Sequence, residues 1–123
     1  MADTGSLTAP FALPHPLTEP DLLAKYFQVL SDPTRLRVLE LLRDRGELSV
    51  SEIVASLGHS QSKVSNHLAC LRWCGFVHTR RDHPSVLYSV ADERVLEVLA
   101  LGRALLADNV EHVSACGVVG KDC

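Results

Sequence analysis

No run of apolar residues among the 123 positions approaches the ~18 needed to cross a bilayer, so the sequence offers no membrane span. Its first twenty residues, MADTGSLTAPFALPHPLTEP, lack a basic cluster and hold four prolines, so they do not read as a secretory signal. Both absences point to a cytoplasmic protein. No internal repeat is evident. The four cysteines include no C-x-x-C pair, and no Cys–His–acid constellation accompanies them, so the sequence does not read as a thiol enzyme.

Positive charge is also short. Twelve Lys and Arg face fifteen Asp and Glu, a net −3 that by itself argues against a nucleic-acid partner. Its distribution argues otherwise. Residues 59–83 carry Lys63, Arg72, Arg80 and Arg81 against Asp82, a local +3 between two flanks that each sum to −3. A basic segment between acidic flanks can hold a phosphate-binding surface whatever the total.

What is present suits a single globular domain: 46% apolar and 22% charged residues on a chain long enough to bury a sizeable core. Residues 1–17 are Pro-rich and aperiodic, and read as an arm. From Glu19, Leu22, Leu23, Tyr26, Phe27 and Leu30 recur at helical spacing. Asp32-Pro33 breaks that helix and caps a second, which Gly46 stops. Ser49 and Glu52 form a capping box for a third helix that ends at Gly58. Ser60 caps a fourth, ending near Cys74 with Gly75 as its stop. Phe76–Arg81 and Val86–Val90 flank a polar tip, Asp82 to Ser85, as a hairpin. Asp92 opens a long helix through about Ser114, with Val95, Leu99, Leu106, Val110 and Val113 on an apolar stripe. The domain therefore spans residues 18–115, followed by a Cys-containing tail over 116–123.

Two short helices joined by a tight turn and followed by a β-hairpin make a winged helix-turn-helix, mainly α with a β wing. The first and last helices retain spare apolar surface. A symmetric homodimer through those two helices covers it.

An ideal wheel of ~100° per residue sorts the fourth helix into faces. Val64, Leu68 and Leu71 share the core side. Ser62, Ser65, Asn66 and Ala69 form a small, polar arc suited to a major groove. Cys70 and Cys74 fall on a separate flank with Lys63 and His67. Gln61, Ser62, Ser65 and Asn66 are thus candidates for base edges. Lys63, Arg80 and Arg81 are candidates for phosphates. His67 is expected on the DNA side or at a cap, and Trp73 over the thiols or against the wing.

Three stretches carry a family resemblance: Leu30-Ser31-Asp32-Pro33-Thr34-Arg35-Leu36-Arg37, Ser62-Lys63-Val64-Ser65-Asn66-His67-Leu68, and Cys70-Leu71-Arg72-Trp73-Cys74-Gly75. Over roughly residues 20–115 the sequence resembles the ArsR/SmtB family of dimeric winged-helix repressors that leave DNA on binding metal. Its SNHL-x-CLR-x-CG segment looks most like the CmtR-type cadmium and lead sensors. That resemblance implies two thiol ligands on the recognition helix, here Cys70 and Cys74. It also implies a third from the C-terminal region of the other subunit, here best matched by Cys116. The arsenic sensors' ELCVCDL stretch is replaced by Glu47-Leu48-Ser49-Val50-Ser51-Glu52-Ile53, which has no thiol. The last helix also lacks the spacing of the family's zinc site.

The thiols support the same chemistry independently. Without a secretion signal, four cysteines read as metal or redox ligands before disulfides. Cys70 and Cys74, at i and i+4, have Cβ atoms about 6 Å apart on one helix face. Thiolates select soft ions such as Cd(II), Pb(II) or Hg(II), with zinc less favoured. Two sulfurs leave a large ion under-coordinated, so a further donor is expected, and His112 and Cys123 are additional candidates beside Cys116. The reading is a metal-responsive repressor that binds an inverted-repeat operator as a homodimer. Its alternative is a thiol redox sensor on the same scaffold. A winged helix that binds only proteins is a further alternative.

Overall fold

The computed structural model describes residues 16–117. The expected arm over 1–17 and tail over 116–123 lie almost wholly outside the described residues, Cys123 among them. Each helix begins where a short polar side chain takes up backbone N–H groups of the first turn. Thr18 caps α1 (Glu19–Val29) in a capping box with Asp21. Asp32 accepts the Arg35 N–H at 3.0 Å to open α2 (Pro33–Arg45), with Pro33 at its first position. Ser49 and Glu52 exchange hydrogen bonds ahead of α3 (Val50–Leu57). Ser60 caps α4 (Gln61–Trp73), and Asp92 caps α5 (Glu93–Ala115).

The end of α4 is set by Gly75. Its φ of +85° is one that other residues rarely adopt. That turn lets the Phe76 N–H reach the Leu71 carbonyl at 2.9 Å and the Gly75 N–H reach Arg72 at 3.2 Å, a Schellman arrangement. It also buries Phe76, where Tyr26 of α1 stacks on it with ring centroids 4.5 Å apart.

The wing is β2 (Val77–Asp82) and β3 (Ser85–Val90), antiparallel around a turn of only His83 and Pro84. Asp82 and Ser85, expected in the tip, are themselves paired. A third strand joins them that the sequence does not announce. β1 (Leu48–Ser49) pairs with β3, Leu48 against Tyr88, giving the order β1-β3-β2. Two residues carry no legible alternation, so only the pairing reveals it.

Val38 and Leu39 of α2, Ile53 of α3, and Val64, Leu68 and Leu71 of α4 are fully buried around the base of the wing. Each such side chain contributes about 1.5–3 kcal/mol through burial. α5 adds Val95 and Leu99, and its Arg103 pairs with Glu40 of α2. Farther along, Leu106, Val110 and Val113 are about half exposed, although the expected stripe includes them. In the single chain that stripe extends beyond the core it packs against.

Candidate nucleic-acid interface and thiol site

α4 is oriented by its buried side. With Val64, Leu68 and Leu71 at 0% exposure, the opposite arc must face outward. Gln61, Ser62, Lys63, Asn66 and Ala69 are exposed there or beside it, and Ser65 is half-buried. Ser60 caps the first turn of α4, and Gln61, Ser62 and Lys63 of that turn are all exposed.

The wing arginines differ from each other. Pleating sends alternate residues to opposite faces, so Arg80 shares its side with His78 and Asp82, and Arg81 lies on the other. Arg81 is exposed. Arg80 is held by Glu47, with Nε 3.0 Å from one carboxylate oxygen and Nη2 2.8 Å from the other. Glu47 lies outside the basic segment, and β1 brings it back to the wing. Sequence spacing gives no sign of this.

Cys70 and Cys74 are both half-buried and line an open groove of about 800 Å³ between α1 and α4. Leu22, Tyr26 and Val29 form its α1 wall, and Trp73, 70% exposed, stands at the α4 side. Burial first, and then the neighbouring Cys70, push the Cys74 thiol up, while Arg35 and Lys25 pull it down. Neither cysteine is in a disulfide. Two adjacent sulfurs opening onto one groove form a bidentate soft-donor pair.

His67 points to the start of α2. Its Nε2 is 3.7 Å from the Asp32 carboxylate and its Nδ1 3.4 Å from Arg35 Nη1. It therefore meets a capping residue and lies 16% exposed at the side chain. Arg35 is the residue that sequence reasoning missed, since 32 positions separate it from His67.

Cys116 forms the C-cap of α5 and is exposed. The helix persists to Ala115, so His112 sits one turn before it. Within one chain, no three His, Cys, Asp or Glu side chains among the described residues gather into a metal-sized group. The single chain thus joins Cys70 with Cys74, and does not bring Cys116 or His112 to them.

Comparison with known proteins adds to this geometry. Residues 32–79 match the family described as bacterial regulatory protein, arsR family. The chain is 46% identical over 101 residues to a probable mercury resistance operon repressor of Streptomyces lividans, covering 82% of this chain and 80% of that protein. It is 42% identical over 77 residues to the transcriptional regulator CmtR of Mycobacterium tuberculosis, covering 63% and 64%. Among solved structures, a homodimeric winged helix-turn-helix domain from Mycobacterium bovis superposes with a TM-score of 0.68. That match has 27% identity and covers 80% of this chain and 94% of the other.

Proposed function

The chain belongs to the arsR family of bacterial regulatory proteins, and on that premise we propose that it is a homodimeric repressor released from operator DNA by a soft thiophilic ion. Cadmium, lead and mercury are the inducers its sulfur donors suit, ahead of zinc. The observation that carries this reading is the placement of Cys70 and Cys74. They sit on the candidate recognition helix, half-buried and turned to the α1 groove, away from the arc of Ser62, Asn66 and Ala69. A relative named as a probable mercury resistance operon repressor supports metal as the signal.

DNA binding and dimerisation are assigned to residues 18–115. Leu23 and Phe27 of α1 and Leu101, Leu105 and Leu106 of α5 are exposed, more apolar surface than a lone domain leaves in water. A two-fold dimer through these helices covers it, and the Mycobacterium bovis neighbour is homodimeric. Two copies of α4 then enter successive major grooves of an inverted repeat. Gln61, Ser62, Ser65 and Asn66 meet base edges, while Lys63 and Arg81 serve phosphates.

The donor set fits a thiophilic ion, because two sulfurs at i and i+4 can both reach one with bonds of ~2.3 Å or somewhat longer. When bound, the ion supplies a link between the α4 sulfurs of one protomer and the partner's Cys116. His112 or Cys123 would be the candidate for one further donor. Cys70 and Cys74 give up their thiol protons, and Trp73 and Tyr26 shield the groove. α4 is thereby tied to the C-terminal region of α5, away from the spacing that matches successive grooves. A 100-fold loss of operator affinity requires about 2.7 kcal/mol of coupling, within the ordinary allosteric range.

The test is an ultraviolet titration of reduced protein with each ion in the presence of labelled operator. Thiolate charge-transfer absorption and operator release should follow one another to the same end-point. Absorption that saturates while operator stays bound contradicts the proposal.

A further inference from the structure

The Glu47–Arg80 pair bears directly on how the wing meets DNA. A guanidinium fork fits a carboxylate and a phosphate in the same bidentate manner, so the two compete for one arginine. Here the carboxylate already occupies the fork, with contacts of 3.0 and 2.8 Å. The next two residues fix Glu47 in place. Leu48 is 3% exposed and pairs with Tyr88, and Ser49 caps α3. Arg80 pairs with Leu87 in the register that sets Ser49 against Leu87, so Glu47 reaches it across β3.

Glu47 and Asp82 both act electrostatically on Arg80. His78 lies on the same face and acts on Glu47. That face holds two carboxylates, one guanidinium and the His78 imidazole. Turning Arg80 toward a phosphate would leave Glu47 and Asp82 facing the DNA backbone, a like-charge arrangement that opposes the exchange.

We propose that Glu47 is a built-in restraint on DNA binding: it holds Arg80 off the phosphate backbone and so lowers affinity for every DNA sequence alike. This rests on reading the chain as a DNA-binding repressor. In the resting arrangement Arg81 and Lys63 serve the phosphates, and Arg80 is held in reserve. For a repressor that must leave its operator, weak non-specific attraction is useful, since a strong sequence-independent term would keep it on DNA after induction.

The experiment is the salt dependence of binding to operator-length and random duplexes between 50 and 200 mM salt, using the intact protein without added metal. Glu47→Gln keeps the shape and one acceptor for Arg80 but removes the charge. It should bind both duplexes more tightly at 50 mM and steepen the slope of log K against log salt by about 0.9, one phosphate contact. Between the two salt concentrations that is a further ~3–4-fold loss of affinity. Glu47→Gln with Arg80→Ala should return to the parent slope, because the freed guanidinium is then absent. The inference is overturned by a Glu47→Gln slope equal to the parent's, or by a steepened slope that persists in the double variant. A lowered melting temperature without a slope change marks the pair as a strut between β1 and β2, and also overturns it. A parent protein that binds neither duplex at 50 mM removes the DNA-binding reading itself, a result distinct from an unchanged slope.

Discussion

Arg35 and His67 meet at the junction of three helices. Arg35 Nη1 lies 3.4 Å from His67 Nδ1, while its Nε donates to the Val29 carbonyl at 2.6 Å. One α2 side chain therefore satisfies the end of α1 and touches α4 three residues before Cys70. Hydrogen bonds made by a charged donor are worth about 1.5–3 kcal/mol. Arg35→Ala should lower stability by about 1–3 kcal/mol in urea unfolding, with Arg35→Lys recovering only part because it cannot span both partners. Equal stability of Arg35→Ala and parent would dismiss the junction.

Acid should weaken the α5 cap. Hydrogen bonds from the Arg94 side chain and backbone N–H hold the Asp92 carboxyl down at about 2. The folded state thus prefers the ionised form. Its contribution is complete above the ordinary carboxyl value of 3.8 and is lost as pH falls from there through about 2. Asp92→Asn should lower the melting temperature by a constant amount above about pH 5, and the difference should close toward pH 2. A gap that stays constant to pH 2 would assign the cap no charge-dependent share.

The exposed stripe of α5 gives a solution prediction. Leu105 is 65% exposed in the single chain, so Leu105→Glu leaves the protomer core intact. Sedimentation should show a shift from dimer toward monomer, with weaker operator binding and an unchanged helical circular dichroism spectrum. A dimer as stable as the parent's would move the interface away from α5.

Base reading is tested at Asn66, exposed on the outward arc of α4. Asn66→Ala should cost about 1–3 kcal/mol on operator, the range for one bidentate base contact, and little on random duplex. Equal losses on both would make Asn66 a positioning contact only.

Local chemistry explains what is legible in the sequence. Asp32, Ser49 with Glu52, Ser60 and Asp92 cap the helices they are expected to cap, because capping needs only neighbours two or three residues apart. The wheel likewise places Val64, Leu68 and Leu71 on the buried side, since α4 is regular throughout, whereas Cys70 and Cys74 pack half-buried against the edge of that core. Contacts between distant positions are not legible. β1 has two residues and no period, so nothing in the sequence signals its return of Glu47 to Arg80. Arg35 and His67 are joined only by the angle between α2 and α4. The α5 stripe is plainly apolar, yet where the protomer core ends along it depends on packing. No sequence period encodes that.

The proposed metal site is shared between subunits, Cys70 and Cys74 of one with Cys116 of the other. Cys70→Ser and Cys116→Ser proteins should each fold, dimerise and bind operator, and each should lose most metal-driven release, because serine is a hard, normally protonated donor. Mixing the two variants tests the arrangement most directly. A heterodimer then holds one complete set, the unaltered Cys70 and Cys74 of one chain with the unaltered Cys116 of the other. Cadmium titration should recover thiolate charge-transfer absorption equal to one site per heterodimer. Absorption no greater than that of the two separate homodimers would contradict the account and assign each site to a single chain.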